Sequence, residues 1–389
     1  RAVELAMRMA LLTGGAIQQR SFFARKNYFY PDLPKGYQIS MYEFPLIRGG
    51  HIDINEDSGR KSIRLNRIHL EEDAGKLVHV EGDPESYFDV NRCGIPLIEI
   101  VTEPDFESAG EVSQFLNILK EILIFSGASL GNMEQGNIRV DANISIRPRG
   151  QKELNTRTEI KNMNSFVNAV AAINREIDRQ TRIAESGGAV IQETLLYDAE
   201  RDTLASMRSK EEAHDYRYFP EPDLVPVFVD DEWIDRVRAE LPEMRDAMRK
   251  RFERDYHIPP YDADILTTSP DIACYFEETV RTGSHPKKAS NWIMGEVLRV
   301  LHETRGVLGE FKVKPSMLAK LIALIDDGTI SGSIAKTVFD EMTLTGKNPE
   351  SIIEARGLTQ ISDRGELEKI VREIIEANPD EVKKYQEGK

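Results

Sequence analysis

RLNRIHLEEDAGKLVHVEGDPESYFDVNRCGIPLIEIVTEPD, residues 64–105, decides how the rest of the chain is read. Its first half carries Ile63, Arg64, Leu65, Asn66, Arg67, Ile68, His69 and Leu70 into Glu71-Glu72-Asp73, then Ala74-Gly75-Lys76. A strand that ends in three carboxylates repels itself unless cations sit there. The second half, Ile95-Pro96-Leu97-Ile98-Glu99-Ile100-Val101, is a nearly continuous apolar run. Such a run predicts a strand buried on both faces, interrupted here by one glutamate. An isolated buried carboxylate costs at least several kcal/mol, so Glu99 is expected to bind a metal ion, pair with a base or hold a proton. Oxygen ligands of this kind suit Mg2+. The competing reading pairs Glu99 structurally with an arginine and turns Glu71 to Asp73 towards water. His69 as a metal ligand ranks below the carboxylates, because a lone strand histidine is more often structural.

Outward from this stretch, short alternating runs over residues 28–100 are separated by Gly49-Gly50, Asp57-Ser58-Gly59 and Gly82-Asp83-Pro84. This turn chemistry predicts an antiparallel meander. Ahead of it, Val3, Leu5, Ala6, Met9, Ala10 and Leu12 pattern a helix stopped at Gly14-Gly15, read as cut from a longer protein. After it, Ser108 and Glu111 form a capping box for a helix striped by Val112, Phe115, Leu116, Leu119, Ile122 and Leu123, ending at Gly127 and covering the sheet. Ile138, Val140, Ala142, Ile144 and Ile146 then alternate with Arg139, Asp141, Asn143, Ser145 and Arg147. That period of two predicts a strand with one core face and one polar face. A further short strand at Thr158–Asn162 and a helix opened by Ser165 indicate an α+β domain with a mainly antiparallel sheet.

Asp215-Tyr216-Arg217-Tyr218-Phe219-Pro220-Glu221-Pro222-Asp223 predicts a rigid extended loop. From Asp230 helical patterns dominate: Trp233 to Glu240, Leu241 to Tyr256, a helix opened by Ser269-Pro270, Ser290 to Glu303, and a second array from Pro315-Ser316 that includes Ile334 to Met342. Ser351 to Lys389 is read as helical, with a capping-box pattern at Asp363 and Glu366.

Composition narrows the function classes. The 389 residues leave room for two or three domains, and the only cysteines, Cys93 and Cys274, form no CxxC, so a zinc knuckle and a disulfide framework are both excluded. No apolar run approaches the ~18 residues a membrane span needs, and no signal peptide is evident, so the chain is expected in the cytoplasm. A net charge of −15 argues against indiscriminate nucleic-acid binding. There is no GxxxxGK[ST] loop and no GxGxxG.

Several long segments resemble the GatB family, the tRNA-handling subunits of the glutamine-dependent aspartyl/glutamyl-tRNA amidotransferases. They are Lys26-Asn27-Tyr28-Phe29-Tyr30-Pro31-Asp32, Tyr37 to Ser40, His69 to Lys76, Pro96 to Asp105, Arg139 to Ser145 and Asp215 to Asp223. The resemblance implies a cradle-shaped α+β domain at residues 1–240, a helical domain at 241–350, and at 351–389 the start of a YqeY-like tail that contacts tRNA. It implies ATP-dependent phosphorylation of the side-chain carboxylate of Glu-tRNA(Gln) or Asp-tRNA(Asn), followed by amidation with ammonia from a partner glutaminase. The implied partners, in a heterotrimer, are the glutamine-hydrolysing amidase, a second and smaller protein, and the misacylated tRNA; ATP and Mg2+ are the implied cofactors. Residue by residue, Glu72 and Glu99 match the family's Mg2+ ligands. Lys26, Arg139, Asp141 and Asn143 match its catalytic face, with Lys26 and Arg139 as phosphate partners. The family's opening strand with a Glu-x-His motif, and its last tail helices, lie outside this sequence, which leaves the metal site incomplete. Residues 351–389 carry seven basic and nine acidic side chains, no footprint for RNA. Two other readings are a tRNA-docking adaptor without chemistry and a ligase joining ammonia to a free amino acid.

Overall fold

The computed structural model describes residues 1–56, 59–79, 85–207, 216–358 and 372–379. The expected turn at Gly82-Asp83-Pro84, most of Asp57-Ser58-Gly59, Asp215, and the Asp363/Glu366 cap lie outside the described residues. The chain separates into two compact units, Arg1–Glu243 and Met244–Lys389.

The first unit is organised around one long strand, Gly59–Glu72. His51–Glu56 returns along its first half in a hairpin, and Pro96–Thr102 runs antiparallel to its second half. Ile47–Arg48 and Tyr37–Ser40 also pair with it, and Ala24–Asn27 continues the sheet outward to Phe219–Pro220, every pairing antiparallel. The apolar side chains switch parity along the strand, from Ile63 and Leu65 to Ile68 and Leu70, all buried. The switch marks a bulge: Val101 faces Arg67 while Thr102 faces Leu65, so Asn66 is the extra residue. A second sheet places Ala142–Ile144 beside Thr158–Lys161, then Thr194–Asp198 in parallel and Thr203–Ser206 antiparallel. The parallel step is bridged by the helix Phe166–Glu185, as a parallel pair requires. Ser108 and Ser165 cap the helices Ala109–Phe125 and Phe166–Glu185 as the sequence predicts, each side chain accepting the backbone N–H three residues on. The capping box at Ser108 is only half formed, since the Glu111 carboxylate accepts from Glu107 N–H and pairs with Lys61 instead.

Two expected strands differ from their reading. The alternating run Ile138 to Arg147 is a strand only over Ala142–Ile144. Beyond it the backbone N–H of Ile146 donates to Gln180 Oε1, and its carbonyl accepts from Asn155 Nδ2, so side chains take the groups a ladder would have used. Pro96–Thr102 is not buried on both faces: Leu97 to Thr102 are half-buried, and among the described residues it pairs only with Gly59–Glu72. An edge strand leaves one flank open, and Glu99 is 44% exposed.

The second unit is helical. Pro260, Pro270, Pro286, Pro315 and Pro349 each open a helix in its first turn, where a missing N–H costs nothing. Phe252, Phe276, Leu318, Val338, Phe339 and Met342 fill its core. The expected helix Ser290 to Glu303 is interrupted by a π-helical turn at Ile293–Val297, and Leu241 to Met244 precede the helix Arg245–Tyr256 rather than joining it. Cys93 and Cys274 are free thiols. Among the described residues no helix is long and apolar enough to cross a membrane.

Candidate functional site

Strand register decides which acids share a face. Glu99 lies opposite His69, Leu97 opposite Glu71 and Pro96 opposite Glu72. Cross-strand partners project to the same side and successive residues to opposite sides. His69, Glu71 and Glu99 therefore meet, and Glu72 points the other way. One ligand atom from each of the three lies within 4.8 Å of the others. His69 Nε2 sits 3.3 Å from a Glu99 oxygen and 3.8 Å from a Glu71 oxygen. The imidazole is fully buried, yet among the described residues neither nitrogen has a hydrogen-bond partner, the Glu71 oxygen lying beyond hydrogen-bond reach and the Glu99 oxygen making an ion-pair contact only.

The electrostatics follow from this crowding. Burial, and then the Glu99 charge, push Glu71 up to about 7. The His69 contact holds Glu99 below the usual carboxylate range against the opposing effect of burial. Lys26, on the strand Ala24–Asn27, favours the charged form of both acids and lies 4.8 Å from the Tyr216 ring centroid. Asp141 approaches from the second sheet: burial and the charges of Glu159 and Glu99 raise its pKa, while Lys161, 3.7 Å away, lowers it. Asn143 is exposed, opposite Glu159 on the neighbouring strand.

The other face is saturated with cations. Lys35 Nζ donates to the two Glu72 oxygens at 2.6 and 2.7 Å, and Ile39 N–H donates to the same carboxylate at 2.9 Å. Asp73, 2% exposed, accepts from Arg92 Nε at 2.7 Å and from Arg139 Nη2 at 2.6 and 2.7 Å. Arg92 also donates to the Gly136 carbonyl at 2.6 Å. A shallow cleft lined by Leu33, Lys35, Glu72, Cys93 and Gly94 lies on this side.

Of the six residues expected from sequence, the structure thus gathers Lys26, Glu99 and Asp141 around one centre. It places Glu72 and Arg139 among the ion pairs of the opposite side, with Asn143 exposed nearby. Lys161 lies at the centre without having been singled out in the sequence, Glu71 was read there only as one of the three carboxylates closing the strand, and His69 ranks higher than expected. The signal for Glu71 was present in the apolar parity of Ile68 and Leu70, which assigns His69 and Glu71 to the polar face.

A mainly antiparallel α+β protein with a two-carboxylate, one-imidazole centre beside a lysine fits a class that handles a divalent cation and anionic groups. Comparison with known proteins is more specific. Residues 1–235 match the GatB/GatE catalytic domain family, and residues 274–389 match the GatB domain. The chain is 52% identical over 389 residues to the B subunit of the aspartyl/glutamyl-tRNA(Asn/Gln) amidotransferase of Chlorobium phaeobacteroides, covering 100% of this chain and 82% of that relative. The corresponding protein of Prosthecochloris aestuarii is 51% identical, with 100% and 81% covered. That of Geobacter sp. is 51% identical over 392 residues, with 100% and 82% covered. The chain belongs to the GatB/GatE catalytic domain family.

Proposed function

We propose that this chain is the amide-forming subunit of a tRNA-dependent amidotransferase, converting glutamate on tRNA(Gln) or aspartate on tRNA(Asn) to the amide. Ammonia cannot displace oxide from a carboxylate, so the oxygen must first become a leaving group. In this reading the carboxylate attacks the γ-phosphorus of ATP, the bond to ADP breaks, and ammonia then attacks the acyl carbon with loss of inorganic phosphate. Phosphoryl transfer asks the protein chiefly for positioning and charge neutralisation, not for a nucleophile of its own.

The observation that carries this is the centre itself: two carboxylates beside a fully buried imidazole with no hydrogen-bond partner on either nitrogen among the described residues. That donor set fits a divalent cation, with Glu71 and Glu99 supplying oxygens and His69 a nitrogen. Bound there, Mg2+ would neutralise phosphate oxygens. Glu72, already neutralised by Lys35, is left out of this set. Lys26 is placed to hold a phosphate oxygen, and Asp141 to take the proton that the attacking nitrogen sheds. Arg139, committed to Asp73, is a positioning group in this reading.

The assembly in this proposal is completed by an amidase that releases ammonia from glutamine and by a small third protein. The division of the helical part at about residue 350, with the tail beyond it meeting tRNA, belongs to the same reading, as does a cytoplasmic location beside translation. The test is ATP hydrolysis by the assembled complex with and without misacylated tRNA. Hydrolysis should depend on the misacylated tRNA, and Glu99→Gln should remove it while glutamine hydrolysis persists. ATP turnover at the same rate without tRNA would overturn the proposal.

A further inference from the structure

Residues 147–157, RPRGQKELNTR, carry Arg147, Arg149, Lys152 and Arg157 against the single acid Glu153, in a chain of net charge −15. All four cations are exposed, and none forms an ion pair with a described residue. Several arginines elsewhere in the same unit are paired, Arg25 with Glu221, Arg64 with Asp105, Arg175 with Asp202 and Arg179 with Glu176, whereas this loop gathers, within eleven residues, four cations unpaired among the described residues. The loop nonetheless has a shape of its own. The Arg147 guanidinium donates to the Lys152 carbonyl, Gln151 Nε2 donates to Glu153 O at 2.9 Å and to Asn155 Oδ1 at 2.8 Å, and Asn155 Nδ2 ties back to Ile146 O at 2.7 Å. Its polar side chains fold it while its charges stay uncompensated.

Position gives those charges a meaning. The loop joins Ala142–Ile144 to Thr158–Lys161, and the opposite end of that strand pair carries Asp141 and Lys161 beside Glu99. Six residues separate Asp141 from Arg147, at most ~20 Å of extended chain. We infer that residues 147–157 form a phosphate-tracking contact for the 3′ end of the aminoacyl-tRNA whose amino acid lies at the Glu71–Glu99 centre. The inference rests on the proposed function: a substrate joined covalently to a polyanion must approach a protein whose overall charge repels it. Local unneutralised cations at one strand's length from the reacting carboxylate meet that need. Neutralising a few phosphates suffices to orient the strand without reading its sequence.

The experiment uses the assembled complex with this chain carrying R149Q/K152Q/R157Q or R149E/K152E/R157E. Binding of tRNA is followed by fluorescence anisotropy at several KCl concentrations, using intact tRNA and tRNA lacking its four 3′-terminal nucleotides, alongside steady-state amidation. Each lost single-strand phosphate contact should flatten the plot of log affinity against log salt by ~0.7, so the neutral triple variant should flatten it by about 2. The KM for misacylated tRNA should rise at least tenfold, more than kcat falls, and the shortened tRNA should bind wild type and variants alike. An unchanged salt slope and KM, with wild type active, overturns the inference and leaves the proposed function standing. Variants that bind tRNA normally but fail to assemble with the other proteins of the complex also overturn it, assigning the loop to a protein contact. A wild-type complex that never amidates defeats the proposed function instead. If a triple variant unfolds at a lower temperature, R149Q and K152Q singly decide, each with an expected slope change of about 0.7.

Discussion

On one face of the strand Gly59–Glu72, Glu71 and Glu99 crowd a buried imidazole, with Lys26 as the nearby cation that acts on both acids. On the other, at the same end of the strand, Glu72 is matched by Lys35 and Asp73 by Arg92 and Arg139. The side chains are of one kind and their neighbours in sequence; their circumstances are opposite. Carboxylates gathered with their charge already balanced hold the fold together. Carboxylates gathered without that balance perturb one another, Glu99 raising the pKa of Glu71, and leave polar atoms of the imidazole unpartnered among the described residues, a state that marks a candidate site.

The comparison breaks first, if at all, at Asp73. Asp73→Ala would strand two guanidinium groups around a side chain that is 2% exposed. Arg92 and Arg139 are 37% and 54% exposed, so water takes up part of the loss and the cost is about 2 kcal/mol. Urea denaturation should show that loss, and a change under ~1 kcal/mol would mean the saturated face is not structural. The unsaturated face should respond in function instead. Glu99→Gln keeps the shape of the side chain and removes its charge, so affinity for Mn2+, counted by electron paramagnetic resonance, should fall about 100-fold, or ~2.7 kcal/mol. Glu72→Gln should change it less than threefold. Equal losses in the two variants would return Glu72 to the ligand set.

A third carboxylate serves as a control for what neutralisation does. Glu221, 3% exposed, accepts two hydrogen bonds of 2.7 Å from the Arg25 guanidinium. Those bonds hold its carboxyl below the ordinary value of 4.5. A carboxyl lowered on folding contributes stability that is fully present above about pH 4.5 and is lost as pH falls through its folded value. Glu221→Gln should therefore cost about 2 kcal/mol at pH 7 and flatten the acid limb of the stability curve. An acid limb identical to wild type would show that this pair contributes nothing to pH-dependent stability.

How far the sequence could be read follows the same division. Local chemistry was legible: Ser108, Ser165 and Ser269 cap the helices they announce, and Pro270 and Pro315 open theirs. Glu99 was legible as an acid out of place. What the sequence did not reveal was anything set by a partner strand or a distant side chain. The alternation from Ile138 to Arg147 does not fix how far a ladder runs: the strand stops at Ile144, and Gln180, on a helix, takes the Ile146 N–H beyond it. Resemblance of motifs pointed to Glu72, whereas the register that sets Glu99 opposite His69 puts Glu71 on their face and Glu72 on the other. Arg139 reads as a phosphate partner, and nothing in its neighbourhood in sequence reveals that Asp73, far back in the chain, accepts its hydrogen bonds.

The smallest effect is the sharpest test of the two faces. Lys35 is 42% exposed and Glu72 11%, so their contact lies at the edge of solvent, where an ion pair contributes at most about 1 kcal/mol. Lys35→Met keeps much of the aliphatic stem and removes the charge, leaving Glu72 with the Ile39 N–H as its remaining donor among these contacts. Stability should fall by ~0.5–1 kcal/mol at low salt, and the difference should shrink in 1 M salt, where the Debye length contracts to about 3 Å. If Lys35 is what makes Glu72 structural, the variant also frees a carboxylate that could capture a cation of its own. With Glu71 and Glu99 alone forming the centre, Mn2+ titration should still count one tight ion, at unchanged affinity. A second tight ion, or a tighter first one, in Lys35→Met would show that Glu72 competes for the metal whenever Lys35 releases it, and the two faces would then be one site held apart by a lysine.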